Sequence, residues 1–142
     1  MEVFFDDLDA VGIVHNIRYL LFAERAVGAF WKKLGLSATP QTQIVAHAER
    51  FHLVKANTIE YLRPITGTCE LRVRVWVEKL GTTSLTFGYA LMPSSEDFDY
   101  AVGTRTVVSA DPETKRPRPW SPALRTLLET ANSGVGQTGS LR

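Results

Sequence analysis

Two aspartates and a glycine lie close together near the start of the chain, within the segment Asp7-Leu8-Asp9-Ala10-Val11-Gly12. A long apolar stretch typical of a buried helix begins just after them, near Asn16. The first turn of a helix has backbone N–H groups without an intrahelical partner, and these can stabilise negative charge that develops on a carbonyl oxygen. A carboxylate beside that turn can attack the carbonyl carbon or take a proton from an attacking water. This combination is sufficient for acyl transfer from a thioester.

The same residues also have a purely structural interpretation. Aspartate is common in loops because its carboxylate accepts hydrogen bonds from nearby backbone N–H groups. Asp7 and Asp9 would then shape the turn and cap the helix, and Gly12 would serve a tight turn. From these residues alone, the structural role is the more common one.

The helix that follows is predicted from Asn16, as its N-cap, to about residue 34, where Gly35 ends it. One narrow exposed stripe is defined by three basic residues seven positions apart, Arg18, Arg25 and Lys32. Most of the remaining circumference is apolar, so we predict that other elements cover the helix on several sides. Glu24 lies off this stripe, and we expect an arginine or a backbone N–H to pair with it.

Strands are predicted after the helix. Residues 69–78 and 84–91 each alternate apolar and polar side chains, and residues 80–83 between them are predicted to form a hairpin. Three further segments are predicted as strands: residues 3–5, 44–62 and 100–109. One long helix followed by antiparallel strands indicates an α+β fold, and there is no βαβ alternation or glycine-rich phosphate loop.

The 142 residues fit one domain, which we place at residues 1–131, with a last helix that Ser121 and Pro122 open and that ends near Ala131. Residues 132–142 are polar and rich in glycine and are predicted to be a flexible tail. The net charge of +1 gives no electrostatic reason to expect nucleic acid or an anionic membrane as a partner. The single cysteine, the acidic N-terminus and the lack of a long apolar run favour a cytoplasmic protein.

The first segment resembles the 4-hydroxybenzoyl-CoA thioesterase family of hotdog proteins, which includes the Tol–Pal-associated acyl-CoA thioesterases. Its signature is Asp-x-Asp-x-x-Gly-x-Val, followed by a tyrosine, an aromatic residue and an acidic residue along the helix. The matching residues are Asp7, Asp9, Gly12, Val14, Tyr19, Phe22 and Glu24. Weaker matches at residues 61–64, 81–84 and 111–117 extend the resemblance over roughly residues 3 to 130.

The resemblance implies the hotdog fold, an antiparallel sheet curled around the long helix, with subunits paired as a homodimer and often as a homotetramer. It implies hydrolysis of an acyl-CoA to a free acid and CoA at a site between subunits, without a cofactor or metal. Asp9 takes the position of the family's nucleophile or general base. The backbone amide of Asn16 takes the position of the carbonyl donor, and Gly12 lets the backbone approach.

The resemblance also suggests substrate contacts. The candidates are His15, Tyr19, Glu49, Phe51, Lys79, Thr83 and Ser84. His15 has the alternative interpretation of a partly exposed residue before the helix, and the three hairpin residues that of a solvated turn. No metal site is predicted, because His47 and His52 lie five positions apart and point to opposite faces of a strand.

Two other functions stay open. An acyl-carrier-protein thioesterase would use the same chemistry on a different carrier. A non-catalytic acyl-CoA-binding protein could keep the fold, since fold alone does not determine function. The pair His15-Asn16 supports the second alternative, because many members of the family carry other residues there.

Overall fold

The computed structural model of the protein describes residues 1–35 and 51–138, with side chains as far as Asn132. In this part of the chain a long helix lies against a curled, five-stranded antiparallel sheet with the strand order β1-β3-β4-β5-β2. The elements in chain order are β1 (Glu2–Val3), a 3-10 turn (Phe5–Asp7), α1 (Asn16–Lys33), β2 (His52–Tyr61), β3 (Cys69–Leu80), β4 (Ser84–Pro93), β5 (Ala101–Ser109) and α2 (Pro122–Thr138). The predicted α+β class is confirmed.

β3 and β4 form the predicted hairpin. Their alternating apolar side chains, such as Leu71 and Val77 on β3, are buried on the face that α1 covers. The N–H of Gly81 donates to the carbonyl of Ser84 at 2.8 Å and closes the turn. The period-two pattern therefore predicted both the strands and the hairpin between them correctly.

β2 is an edge strand that pairs with β5 and with no other strand of the described residues. Its register places His52 opposite Ser109, with Tyr61 at the other end of the strand. Most of its side chains are exposed, including those of Leu53 and Val54. An exposed apolar edge strand of ten residues is a surface on which another strand can pair.

The predicted strand region 44–62 is confirmed from His52 to Tyr61. Residues 36–50 lie outside the described part of the chain. The predicted substrate contact of Glu49 and the position of His47 belong to that segment.

One face of α1 is buried against the sheet. Its members are spaced by one, three or four positions: Tyr19, Phe22, Ala23, Val27 and Trp31. The first part of this face packs with Ile65, Tyr89 and Leu91. The last part packs with Phe87, Trp120 and Leu128. The two ends of α1 thus lie in two different apolar clusters.

α1 differs from its prediction in two respects. Its N-cap is His15 rather than Asn16, and Asn16 is the first helical residue. Glu24 was predicted to lie off the exposed stripe, but its side chain is exposed and keeps 60% of its accessible surface. Gly28 and Ala29 are exposed as well, so the uncovered face is wider than the basic stripe. These residues are apolar by type but small, and the prediction gave them too much weight as buried surface.

The ion pair of Glu24 was predicted correctly. Its carboxylate lies 3.3 Å from the guanidinium of Arg105 on β5. The pair is partly exposed and therefore contributes little to stability.

The last helix is longer than predicted. α2 begins at Pro122, as expected, but runs to Thr138 rather than ending near Ala131. The prediction rested on the polar, glycine-rich composition of residues 132–142, although a glycine inside a helix costs only about 1 kcal/mol relative to alanine. The helix therefore includes the first part of the segment predicted as a flexible tail.

Candidate active site

The loop before α1 folds around the carboxylate of Asp9. Its Oδ1 accepts hydrogen bonds from the N–H groups of Val11 at 2.9 Å and Ile13 at 3.0 Å. The backbone of Asp9 also accepts from Gly12, whose φ of +79° is left-handed and favours glycine. Among the described residues, no donor binds Oδ2 of Asp9. One carboxylate oxygen is thus fixed by the backbone, and the other is available to a substrate or a water.

These contacts also determine the charge of Asp9. The hydrogen bond from the Ile13 N–H has the largest effect and lowers the pKa of Asp9 below its usual value of 3.8. Burial opposes it with a smaller effect, and the weaker contribution of the hydrogen bond from Val11 lowers the pKa further. The positive charge that His15 can carry acts in the same direction. Asp9 is therefore ionised at neutral pH.

Asp7 has a different environment, although it lies only two residues away. Its side chain is 6% exposed and lies 3.3 Å from Nε of Arg18. Its second oxygen accepts from the N–H of Phe4 at 2.9 Å, and its carbonyl accepts from the N–H of His15. Both carboxylate oxygens of Asp7 are occupied, so this residue holds the loop and the helix start together.

The backbone amide of Asn16 is the first of α1. The next two amides are already engaged, since Ile17 donates to Oδ1 of Asn16 at 3.0 Å and Arg18 donates to the carbonyl of His15 at 2.9 Å. No acceptor for the Asn16 N–H lies among the described residues. This N–H belongs to a helix turn whose partial positive charge favours an electron-rich group such as a carbonyl oxygen.

A cavity of about 320 Å³ opens beside this amide. Its lining comes from the helix start and from the end of β2: Ile13, Val14, Asn16, Tyr19, Tyr61, Leu62, Arg63 and Pro64. Tyr19 is buried, its hydroxyl accepts from the N–H of Ile65 at 3.1 Å, and burial raises its pKa. The hydroxyl of Tyr61 donates to the carbonyl of Asn16 at 3.1 Å. This hydrogen bond connects the end of β2 to the start of α1.

Tyr61 and Arg63 were not among the predicted site residues. Both belong to the segment Tyr61-Leu62-Arg63-Pro64 that carried part of the family resemblance. Arg63 lies over the ring of Phe98 at 4.4 Å and brings a positive charge to the cavity wall. The sequence signal was present, but the contact between the end of β2 and the helix start cannot be seen without the fold.

His15 lies on a different side of the helix start. It lines a surface hollow of about 430 Å³ together with Asp6, Ile17, Arg18 and Leu21. The side chain is exposed. Asn16 and Tyr19 therefore share one cavity, and His15 faces another.

Within one chain, the other predicted substrate contacts of the described residues lie at the opposite end of the sheet from the start of α1. Thr83 accepts from the N–H of Ser109, which is the residue opposite His52 at the start of β2. Lys79 and Ser84 belong to the same hairpin, and Phe51 directly precedes β2. The helix start instead contacts the end of β2, at Tyr61. One chain thus does not bring these residues to Asp9.

No group of three or more histidines, cysteines, aspartates or glutamates in residues 1–35 and 51–138 is placed to hold a metal ion. Within the same ranges, no helix has both the length and the apolar character needed to cross a membrane.

Solved structures share this fold. A thioesterase from Thermus thermophilus, complexed with coenzyme A and zinc, is 26% identical with a TM-score of 0.76, over 94% of this chain and 92% of that one. The YbaW probable thioesterase of Escherichia coli is 25% identical with a TM-score of 0.74, over 93% and 96%. The gentisyl-coenzyme A thioesterase BH1999 is 19% identical with a TM-score of 0.74, over 91% and 97%, and supports the fold alone.

No curated protein is similar enough to the chain to count as a match. The model of the Thioesterase-like superfamily matches residues 3–128, which include every element from the start of the Asp9 loop to the middle of α2. The predicted hotdog fold and the resemblance to hotdog thioesterases are both confirmed. The chain belongs to the Thioesterase-like superfamily.

Proposed function

We propose that the protein is an acyl-CoA thioesterase in which Asp9 acts on the thioester carbonyl. The observation that carries the proposal is that two groups suited to this chemistry have no partner among the described residues. One is Oδ2 of an ionised Asp9, in the loop that leads into α1, and the other is the N–H of Asn16, in the first turn of α1. A carboxylate and a carbonyl-polarising amide are the two groups that thioester hydrolysis requires.

Two routes are compatible with these groups. In the first, Oδ2 attacks the carbonyl carbon, the C–S bond breaks, CoA leaves as a thiolate, and water then hydrolyses the mixed anhydride. In the second, Asp9 takes a proton from water while the hydroxide adds to the carbonyl, and the proton later passes to the leaving thiolate. The Asn16 N–H would bind the carbonyl oxygen in both. The lowered pKa keeps Asp9 ionised, as both routes need, but makes it a weaker base for the second.

A second subunit would complete the site through the exposed edge of β2. Two copies of an edge strand related by a two-fold axis pair antiparallel, so the end of one β2 lies beside the start of the other. This chain's Tyr61 and Asn16 would then lie near the second subunit's Phe51 and hairpin. Such pairing brings the predicted contacts Phe51, Lys79, Thr83 and Ser84 towards a site from which they are distant in one chain.

Coenzyme A is the carrier that we favour. The Thermus thermophilus thioesterase, which covers nearly the whole chain, was solved with coenzyme A bound. Arg63 on the cavity wall supplies a positive charge for the phosphates of such a carrier. An acyl-carrier protein would present the same pantetheine thioester, so the carrier is one of the variables in the test.

The decisive experiment compares two aspartates that the backbone holds in the same way. Asp111 accepts from the N–H groups of Glu113 and Thr114 at 2.9 and 2.8 Å and also has a lowered pKa, but it is not among the residues assigned to the thioester site. Thiol release from short, long and aromatic acyl-CoAs, and from the same acyl groups on carrier protein, is measured for Asp9→Asn and Asp111→Asn. We expect Asp9→Asn to lose about a thousandfold or more in kcat and Asp111→Asn to keep its rate.

Three outcomes would count against the proposal. An unchanged rate in Asp9→Asn would exclude the assigned chemistry. Saturable acyl-CoA binding without turnover would identify a binding protein. Hydrolysis of carrier-protein thioesters alone would assign the carrier as acyl-carrier protein.

Substitutions on the exposed edge of β2 test the proposed dimer separately. Leu53→Lys and Val54→Lys place charges on the exposed edge strand and should lower both the mass measured by sedimentation and kcat, because the site loses its second subunit. A wild-type protein that is monomeric and fully active would contradict the shared site.

A further inference from the structure

The loop before α1 is held by the segment that follows β2. The N–H of Val14 donates to the carbonyl of Ile65, and the N–H of Gly67 donates to the carbonyl of Gly12, both at 2.9 Å. These bonds join backbone groups, so they fix the path of the loop. They end at Val14, however, and do not include the first residue of α1.

The first turn of α1 lacks the usual side-chain cap. Its N-cap is His15, whose side chain makes no capping hydrogen bond within the described residues. The side chain of Asn16 bonds locally, to the N–H of Ile17 at 3.0 Å. Helix ends open more readily than the middle of a helix, and an N-cap side chain normally opposes this. Another contact must therefore hold the backbone of Asn16 if its N–H is to keep one direction.

Tyr61, the last residue of β2, supplies such a contact. Its hydroxyl donates to the carbonyl of Asn16 at 3.1 Å. The ring of Tyr61 meets the buried ring of Tyr19 edge to face, with the ring centroids 5.0 Å apart. The hydroxyl of Tyr19 in turn accepts from the N–H of Ile65 at 3.1 Å. The hydroxyl that holds Asn16 therefore belongs to a side chain that is itself packed in place.

We propose that Tyr61 is a positioning residue for the N–H of Asn16, and this proposal rests on the proposed function. The hydrogen bond to the Asn16 carbonyl fixes the backbone of the residue whose N–H would bind the thioester oxygen. Such a donor lowers the barrier only if it is already aimed at that oxygen, and a displacement of about 1 Å can cost about a hundredfold in rate. Tyr61 acts through Asn16 and transfers no proton itself.

Tyr89 provides a matched control for the loss of a tyrosine hydroxyl. Its hydroxyl donates to the backbone carbonyl of Thr58, also on β2, at 2.8 Å. Neither Tyr89 nor Thr58 lines the cavity beside Asn16. Tyr61→Phe and Tyr89→Phe therefore remove the same group from the same kind of bond, but only Tyr61→Phe removes it from the start of α1.

The first test measures kcat and KM by thiol release from the acyl-CoA that the wild type hydrolyses fastest. Tyr61→Phe should lower kcat about tenfold and leave KM within about twofold, because the bond from the Asn16 N–H strengthens in the transition state. Tyr89→Phe should keep both constants within about twofold of wild type. The pH profile of kcat in Tyr61→Phe should keep its wild-type shape, and both variants should keep the wild-type sedimentation mass.

Amide hydrogen exchange, followed by NMR, gives a second readout that does not depend on activity. In an α-helix the N–H of Leu20 donates to the carbonyl of Asn16. Tyr61→Phe should speed the exchange of this N–H about tenfold, because the first turn opens more easily, whereas Tyr89→Phe should change it less than about twofold. Circular dichroism checks that both variants are folded.

The outcomes separate this proposal from the proposed function. If the wild type hydrolyses no thioester, the proposed function fails, and the exchange of Leu20 alone decides whether Tyr61 holds the turn. With an active wild type, an unchanged kcat in Tyr61→Phe, equal losses in Tyr61→Phe and Tyr89→Phe, or a raised KM alone would overturn the role of Tyr61 and leave that of Asp9 standing. A lower sedimentation mass in Tyr61→Phe would also overturn it, by assigning the lost rate to the dimer. Unchanged exchange of Leu20 would overturn it in either case.

Discussion

The two ends of α1 are held by different forces. At its start, the backbone and the carboxylates of Asp7 and Asp9 form a network of hydrogen bonds, and the apolar residues nearby, Val11 and Ile17, are 77% and 71% exposed. At its end, aromatic rings meet at 5.3 to 6.0 Å around Trp31. The loop before α1 is therefore polar and exposed, and the ring cluster at the end of α1 is apolar and buried.

The difference shows where chemistry can take place. A hydrogen-bonded loop fixes the backbone and still leaves individual groups without a partner among the described residues, here Oδ2 of Asp9 and the N–H of Asn16. Close packing of rings leaves no gap among them: the indole N–H of Trp31 is buried there without a hydrogen-bond partner among the described residues. An unpaired group is useful in the exposed loop and merely costs stability in the buried ring cluster.

Loss of a ring from the buried cluster should have the largest effect on stability. Phe87 is fully buried and contacts the rings of Phe30 and Trp31 at 5.3 and 5.6 Å. Phe87→Ala should lower the free energy of unfolding by about 3–5 kcal/mol, because it removes buried surface and leaves a cavity. Urea denaturation measures this change.

Val11→Ala is the matched truncation in the exposed loop. Its side chain is 77% exposed, so the expected change is within about 0.5 kcal/mol. Equal losses in Phe87→Ala and Val11→Ala would show that the two ends are not packed differently.

Asp7→Asn should have an intermediate effect. The asparagine can satisfy either the Phe4 N–H or Arg18, but its amide group places a donor against the other one. We expect a loss of about 1–3 kcal/mol in the free energy of unfolding and, since Asp7 contacts no free group of the site, a kcat within about twofold of wild type.

Asp6→Asn is the control, because Asp6 is exposed and lies next to Asp7. It should change neither the free energy of unfolding nor kcat. If Asp7→Asn abolished activity in folded protein while Asp9→Asn did not, the roles assigned to the two aspartates would be reversed.

The sequence predicted the regular elements better than the contacts between them. β3, β4 and their hairpin follow from alternation in a single stretch of chain, which is a local signal. The exposure of Glu24 depends on how far the sheet reaches around α1, and no local pattern contains that information. The same holds for Tyr61, whose contact with Asn16 joins residues 45 positions apart.

The candidate site was predicted from spacing, and the structure adds what spacing cannot express. Asp7 and Asp9 are identical in type and two positions apart, yet one is buried against Arg18 and the other keeps a free oxygen. The role of the Asn16 amide comes from the resemblance and stays a prediction, while the structure shows that the next two amides of the same turn already have partners. The predicted roles of Phe51, Lys79, Thr83 and Ser84 depend on a second subunit and stay predictions.

Lowering the pH should selectively destabilise the loop that contains Asp9. This is the smallest of the three predicted effects on stability, after those of Phe87→Ala and Asp7→Asn. The pKa of Asp9 in the folded protein lies below the ordinary value of 3.8, so its ionised form stabilises the fold. That contribution is fully present above pH 3.8 and disappears as the pH falls through the lower pKa of the folded state. Asp9→Asn keeps a hydrogen-bond acceptor but has no charge to lose.

The melting temperatures of wild type and Asp9→Asn should therefore converge as the pH falls below 3.8. The gap between wild type and Phe87→Ala should stay constant over the same range, because ring packing involves no proton. A constant gap for Asp9→Asn would mean that the hydrogen bonds from Val11 and Ile13 do not favour the charged form, and the polar character assigned to this end of α1 would fail with it.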